Sequence, residues 1–247
     1  MSNVISGQEG DQWKTHTSRQ LNLGQEMRFI DGRRYRYAKA GTSAVVVAKL
    51  YQAPIPIGDH VLKTPAATAV GVRTVSVTLG ATAATADQYI DGYLVVDLAT
   101  NTGFGHIYQI GTHGAVASSG VFAVPLKSPV QVAISAQASS VSLVPNNYSG
   151  VILAVTTTPT ATLAGVAAAP FAIGAFGWIQ VAGNCMCLTE DNGAANVTAG
   201  YQLIVGATTG SLTPQVTAVS LTVPEVGICV RAATTTDYST VCLTRIE

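Results

Sequence analysis

Charged residues are scarce in this chain of 247 residues. Asp, Glu, Lys and Arg together make up 11% of it, against roughly 25% in an average soluble domain. Glu and Lys, which favour helices, are few, and no apolar run reaches the roughly 18 residues needed to span a bilayer. The N-terminal MSNVISGQEGDQWK lacks the basic and then apolar pattern of a signal peptide. These absences predict a protein that is poor in helix, is made in the cytoplasm and has no membrane partner.

Common catalytic and ligand-binding patterns are also missing. The four histidines show no paired metal spacing, no nucleophile elbow occurs, and the glycine-rich loop at 206–211 lacks the lysine of a phosphate-binding P-loop, so we interpret it as a hairpin turn. Glu190 and Asp191 before Gly193 resemble part of a calcium loop, but the alternating ligand spacing is absent, which favours a solvated turn. We therefore expect no enzymatic activity, no cofactor and no bound metal.

The four cysteines all lie in the last quarter of the chain: Cys185, Cys187, Cys229 and Cys242. In a cytoplasmic product they are most simply reduced, buried and small apolar side chains. Four thiolates are also the ligand set of some zinc sites, but the C-x-C spacing here is not the C-x₂-C of a zinc knuckle. Core packing is the favoured interpretation.

The residues that are abundant favour β-strands. Val75, Val77 and Leu79 alternate with Thr and Ser, and Val130, Val132 and Ile134 show the same two-residue period. Further short runs at intervals of about ten residues, separated by Gly, Pro, Asn and Asp, are typical of sandwiches and barrels. The pattern predicts an all-β fold.

A coarse domain plan follows from the composition. Residues 1–43 are polar and show neither strand nor helix periodicity, so we predict an extended N-terminal arm. Two small β-sandwich or β-barrel domains are expected at 44–157 and 171–247, joined by a Thr/Ala/Pro-rich linker at 158–170.

Charge is segregated along the chain. Residues 1–50 hold eight of the thirteen Lys and Arg against four acids, a net charge of +4, and the remainder carries −4. The basic and aromatic cluster Arg33, Arg34, Tyr35, Arg36 and Tyr37 is the candidate contact site, because Arg pairs with carboxylates and Tyr adds apolar area. The alternative is that the cluster begins a strand and packs on its own domain. A nucleic-acid partner is not expected, since such a footprint normally makes a whole domain basic.

Three stretches resemble structural proteins encoded in the head-gene region of tailed bacteriophages. They are FIDGRRYRYAKAGTSAVVVAKL (29–50), TLGATAATADQYIDGYLVVDLATNTGFGHIYQI (78–110) and PVQVAISAQASSVSLVPNNYSGVI (129–152). Residues 171–247, with FGWIQVAGN, YQLIVGATTG and VGICVRAATTTDYSTVCL, look like the small β-barrel of phage capsid cement proteins. This sequence departs from that pattern at Cys229, Arg231 and the other cysteines.

The resemblance implies a virion structural protein on the capsid surface. Such a capsid decoration (cement) protein would bind the phage major capsid protein, stabilise the lattice from outside and form a homo-oligomer, either a trimer or a dimer. The arginines of the cluster are the expected capsid contacts. The main alternative is a tail or fibre component that binds a host receptor, although no repeat of fixed length is found here. A glycan-binding sandwich would have several exposed tryptophans or paired carboxylates, and a major capsid protein would have a long helix.

Overall fold

The computed structural model is built almost entirely of strands, which confirms the all-β prediction. It describes residues 4–137, 140–155, 160–191, 196–215, 224–233, 236–244 and 246. Within these ranges the only helical elements are two single-turn 3-10 helices, Asp11–Trp13 and Gly58–His60. No helix in the described ranges is long and apolar enough to cross a membrane.

The strands belong to two compact units. Unit 1 consists of Met1–Pro54 and Asn147–Glu247, and unit 2 is the segment between them, Ile55–Asn146. In chain order the strands are β1 (Val4–Ser6), β2 (Glu26–Arg28), β3 (Arg34–Ala40), β4 (Leu50–Gln52), β5 (Thr74–Thr78), β6 (Tyr93–Val96), β7 (Ile107–Gln109), β8 (Val121–Pro125), β9 (Val141–Val144), β10 (Ser149–Leu153), β11 (Leu163–Ala167), β12 (Phe176–Thr189), β13 (Gln202–Val205), β14 (Leu212–Pro214), β15 (Gly227–Cys229) and β16 (Asp237–Leu243).

Unit 1 contains two closed rings of five strands that share β12. The first ring runs β3, β10, β4, β11, β12 and back to β3, and the second runs β12, β14, β13, β15, β16 and back to β12. The first half of β12 pairs with β3 and β11, and its second half pairs with β16 and β14. The 14 residues of this one strand therefore hold the two rings in one unit.

The change of partner along β12 occurs at Gly183. Ala182 is still paired with Arg34 of β3, whereas Gly183 is paired with Leu243 of β16. Gly183 has a φ of 85°, and a Cβ at this position would lie 3.0 Å from Arg33 Cα. Glycine meets both constraints, because it adopts positive φ without strain and leaves room for a crossing backbone.

Each ring encloses an apolar core. Ala and Val predominate in the first core, which suits the narrow interior of a ring with few strands, whereas Leu and Val predominate in the second. The first core includes Ala38, Ala40, Val45, Tyr51, Val151, Ile179 and Val181. The second includes Leu50, Cys187, Leu203, Val205, Leu212, Cys229, Val241 and Leu243.

The structure differs from the extended arm that the sequence predicts over residues 1–43. In the described part of this range, β1 pairs with β2, β2 pairs with β3, and β3 is a full member of the first ring. Long arginine side chains at 34 and 36 keep their charged ends partly in solvent while the strand itself is packed. The charged residues therefore mask the alternation of apolar and polar residues by which a strand is predicted from sequence.

The linker and the domain limits also differ from the sequence-based plan. In the described residues 160–170, β11 is buried at all five positions, because it lies between β4 and β12 with both faces covered. A strand covered on both faces shows no alternation of apolar and polar residues. Instead of 44–157 and 171–247, the compact units change at Pro54/Ile55 and Asn146/Asn147.

Unit 2 contains a two-stranded and a three-stranded antiparallel sheet. β5 pairs with β8, and β6 lies between β7 and β9. The predicted run at 130–135 forms no strand: Val130 and Ile134 are buried, but Ile134 makes only an isolated bridge to Thr68. The inward residues form one core, which includes Val75, Val77, Leu94, Val96, Phe122, Val124 and Leu143.

One turn recurs in both units. A residue in an isolated bridge is followed three positions later by a residue with positive φ, and a strand begins two positions after that. Instances begin at Val45, Val116, Phe171 and Val197, with the positive φ at Ala48, Ser119, Gly174 and Gly200. Because only two of these positions hold glycine, the repetition is not visible in the sequence.

Candidate functional site

The candidate contact cluster consists of Arg33, which directly precedes β3, and the first four residues of β3, where successive side chains point to opposite faces. Tyr35 and Tyr37 are 1% and 0% exposed, while Arg33, Arg34 and Arg36 are half-buried. This geometry matches the alternative given above, in which the cluster belongs to a strand packed on its own domain. The tyrosine rings thus offer no contact area to a protein partner in this conformation, although Tyr35 lines a groove described below, and a role for the arginines in capsid contact remains a prediction.

Tyr37 is the centre of an aromatic cluster. Its ring is stacked on Phe176 at 5.8 Å and meets Trp178 edge-on at 5.3 Å. The Tyr37 hydroxyl is 3.2 Å from His16 Nδ1 and accepts a hydrogen bond from the backbone N–H of Gln20 at 3.3 Å. These contacts fasten residues 16–20 over the outer face of β3 and β12.

Arg33 is held by two carboxylates. It donates to Glu9 Oε2 through Nη2 and to Asp31 Oδ2 through Nε, each at 2.6 Å, and its guanidinium lies 4.7 Å from the centre of the Phe29 ring. The bond from Arg33 and a second from Gln12 lower the pKa of the Glu9 carboxyl below its usual value. The charge of Arg33 is therefore used internally to fix residues 9 and 31 beside β3.

The other two arginines of the cluster differ in their partners. Arg36 Nη1 donates to the carbonyl oxygen of Gly24 at 3.0 Å and lies 3.5 Å from Glu26 Oε2. Arg34 is paired across the strands with Arg28, which forms an ion pair with Glu26. The charge of Arg34 also helps to lower the pKa of Glu26, but Arg34 itself has no carboxylate within ion-pair distance among the described residues. Of the three arginines, it is therefore the one without a direct acid contact in that part of the chain.

A groove of about 710 Å³ in unit 1 lies beside this cluster. It runs along the outer side of β12 at the switch from the first ring to the second, between the N-terminal segment and β16. Its apolar wall includes Trp13, Val47, Met186 and Tyr238, and its polar lining includes Arg33, Tyr35, Gln180 and Asn184. Of these residues, Arg33 and Tyr35 belong to the cluster predicted from the sequence. The others carry no signal in the sequence, because they come from distant segments that are brought together by strand pairing: Trp13, Gln180, Met186 and Tyr238.

The cysteines occupy the second ring. Cys187 and Cys229 are buried, Cys185 and Cys242 are partly buried, and all four are free thiols. Burial raises the pKa of the Cys185 thiol to about 12, with Cys242 adding to the shift, and raises that of Cys187 well above its usual value. No group of three or more His, Cys, Asp or Glu in the described part of the chain is arranged to hold a metal ion.

The carboxylate of Glu190 binds the backbone of the glycine-rich loop at 206–211. It accepts hydrogen bonds from the backbone N–H groups of Ala207 and Thr208, the latter at 2.9 and 3.1 Å. Successive backbone N–H groups in a turn form a concave anion site. Here the anion is supplied by the protein itself, so Glu190 is a buried structural group and not part of the solvated turn that the sequence suggested.

A histidine and tyrosine cluster lies in the core of unit 2. His60 Nε2 donates to the carbonyl oxygen of Thr82 at 2.8 Å, so its Nδ1 accepts a hydrogen bond from the Tyr89 hydroxyl. The backbone N–H of Tyr89 donates to His113 Nε2 at 3.0 Å. His60 is fully buried and His113 nearly so, which makes these rings packing groups with satisfied nitrogens.

Comparison with protein-family models, with curated proteins and with solved structures gives no match to this chain.

Proposed function

We propose that this protein is a virion structural protein that binds the outside of a phage capsid lattice and stabilises it. The observation that carries the proposal is a surface with few charges and many large apolar side chains, among them Ile30, Ile107, Val121 and Ile173 in addition to those of the groove. Charged groups are depleted from the centres of protein interfaces, where their desolvation is costly. The head-protein resemblance of residues 29–50, 78–110 and 129–152 supports the same assignment.

Within this proposal, Arg34 is the principal electrostatic contact with the major capsid protein. It is half-buried and, unlike Arg33 and Arg36, has no carboxylate within ion-pair distance among the described residues, so a carboxylate on the lattice can pair with it directly. Tyr35 and Tyr37 have no part in the contact, because they are buried. Apolar surface supplies the remaining contact, both with the lattice and between copies in a dimer or trimer.

The test is binding of the purified chain to phage heads that lack it. We expect saturable binding to the heads, density on the outer lattice in electron cryomicroscopy, and greater resistance of the decorated heads to heat. Arg34→Glu should weaken binding on the order of tenfold or more, since it reverses the charge at the contact. Arg73→Glu, an exposed arginine of unit 2, is the matched control and should bind like the parent.

The alternative is a tail or fibre component that binds a host receptor. The observation in its favour is the groove with its exposed Trp13, because concave sites with a few polar groups are typical of ligand recognition. Density for the chain at the tail and none on the head lattice would decide for this alternative and against the capsid proposal.

A further inference from the structure

The floor of the groove contains an amide whose orientation is fixed. Gln180 is 5% exposed, and its Nε2 donates to the backbone carbonyls of Ala182 at 3.1 Å and Asn184 at 2.9 Å. Both of its N–H groups are thus used, which identifies the other terminal atom as the oxygen. No described protein group donates to Gln180 Oε1, so the groove presents a recessed acceptor.

A tyrosine is the cross-strand neighbour of this glutamine. Tyr35 is the register partner of Gln180, and its oxygen accepts a long hydrogen bond of 3.4 Å from Arg33 Nη1. Its own proton has no acceptor among the described residues. Desolvation by burial raises the pKa of Tyr35 to about 12, so it stays a donor at neutral pH. Tyr35 and Gln180 both line the groove, so its recessed groups include one donor and one acceptor.

The walls of the groove are apolar and exposed. Trp13 is 58%, Met186 60% and Tyr238 37% exposed, although Trp and Tyr are usually buried over most of their surface. The amide of Asn184 lies at the rim, in solvent. Aromatic and aliphatic walls around a few recessed polar groups are the usual composition of a small-molecule site.

The charge and the backbone of the groove restrict its occupant. Arg33 is the charged residue of the lining, and it is already paired with Glu9 and Asp31. The charge of Arg33 is therefore already balanced, and the groove lining offers no unpaired cation to an anionic ligand among the described residues. The carbonyls of Ala182 and Asn184 are already used by Gln180, so a peptide cannot extend the sheet through these acceptors.

We propose that this groove binds a short, neutral saccharide segment, with Tyr238 as the second aromatic surface in place of the several exposed tryptophans expected of a glycan-binding sandwich. A pyranose ring has an apolar C–H face that packs on an aromatic ring and a rim of hydroxyls that both donate and accept. Trp13 and Tyr238 take the C–H faces, Gln180 Oε1 accepts from one sugar hydroxyl, and the Tyr35 hydroxyl donates to a neighbouring one. The volume of about 710 Å³ lies within the range of ligand sites, roughly 300–1,000 Å³. This site is independent of the proposed capsid contact at Arg34.

The test uses the two tryptophans as reporters, since Trp13 is exposed and Trp178 is buried. The full chain is applied to an array of immobilised neutral and acidic oligosaccharides, and the neutral hits are titrated in solution while tryptophan fluorescence is recorded. We expect binding of at least one neutral oligosaccharide with a Kd of about 1 mM or tighter. The fluorescence change should disappear in Trp13→Phe, and Trp13→Ala should weaken binding by at least about tenfold.

Two further variants separate specific contacts from general surface effects. Tyr35→Phe removes only the hydroxyl and should weaken binding several-fold with an unchanged melting temperature, whereas Phe104→Ala, an exposed aromatic of unit 2, should have no effect. The proposal is overturned if no neutral oligosaccharide binds, if only acidic ones bind, or if Trp13→Ala binds like the parent. Concentration-dependent self-association that Trp13→Ala abolishes, without sugar binding, would instead make the groove an interface between copies.

Discussion

Glu190 shows how a single buried carboxylate can set the shape of a loop. Its carboxylate oxygens accept hydrogen bonds from the backbone N–H groups of Ala207 and Thr208, and the residue is only 5% exposed. We expect Glu190→Ala to lower the free energy of unfolding by about 2–3 kcal/mol, because the buried donors lose a charged acceptor. Urea denaturation measures this loss.

The same substitution leaves an empty anion site with its donors in place. Formate is small enough to enter it, so we expect sodium formate to restore part of the lost stability of Glu190→Ala relative to sodium chloride at equal ionic strength. The control is Glu225→Ala, which removes an exposed carboxylate of the same ring. Equal effects of the two substitutions would contradict a structural role for Glu190.

The thiols of Cys185 and Cys187 in the second ring should be unreactive in the native protein. Burial raises the pKa of Cys185 to about 12 and that of Cys187 well above its usual value, so both remain protonated at pH 8, and the thiolate is the reactive form. We expect an aromatic disulfide reagent to leave both unlabelled in the native protein and to label all four cysteines in urea, as mapped by mass spectrometry. Rapid labelling of native Cys187 would refute this assignment.

Among the elements, the recurrent turn provides a matched pair of backbone tests. Ala48 and Gly174 occupy the same place in the turn, with φ of 58° and 71°. A Cβ at Gly174 would touch nothing within 4 Å, so Gly174→Ala adds only backbone strain and should cost about 1 kcal/mol. Ala48→Gly should be neutral or stabilising by up to about 1 kcal/mol, because the strain removed is offset by unfolded-state entropy. Thermal unfolding of both variants is the measurement, and a stabilising Gly174→Ala would contradict it.

The stability that the ion pairs of Arg33 with Glu9 and Asp31 contribute should depend on pH. A hydrogen bond from Arg33 lowers the pKa of Glu9, and bonds from the Arg33 backbone and side chain lower that of Asp31. A lowered pKa contributes stability that is present above the usual carboxyl range, near pH 4, and is lost as pH falls below it. We expect the melting temperature to fall between about pH 5 and pH 3, and less steeply in Arg33→Gln. Equal slopes for the two proteins would show that these pairs do not carry the acid sensitivity.

Whether a strand could be predicted from the sequence depends on which of its faces are covered. The runs at 75–79 and 93–97 have one face in the core and one in solvent, and their alternation predicted β5 and β6. Two other strands gave no such signal: β11 is buried at every position, and β3 carries arginines at alternate positions. The groove could not be predicted at all, since Trp13, Gln180 and Tyr238 meet only through the long-range pairing of β12.

At the scale of the molecule, unit 2 is inserted in the sequence between two strands of the first ring, but those strands are still neighbours in the sheet. β4 and β10 are separated by unit 2 along the chain, yet they pair antiparallel, with Tyr51 opposite Leu153 and Gln52 opposite Ile152. Continuing that register brings the end of β4 next to the start of β10. The two ends of the insertion are therefore close together, as in a hairpin whose loop has been replaced by unit 2.

This geometry predicts that unit 2 can be removed. Replacing residues 55–146 with a short Gly/Ser linker should leave a protein that unfolds cooperatively and keeps the ring built on β12, because the core of the first ring contains no residue of unit 2. Residues 55–146 alone should fold too, since their core is likewise internal. Circular dichroism and thermal unfolding of the two pieces test this. If neither piece gives a cooperative transition while the full chain does, the two units depend on each other for stability, and the insertion is part of one folding unit.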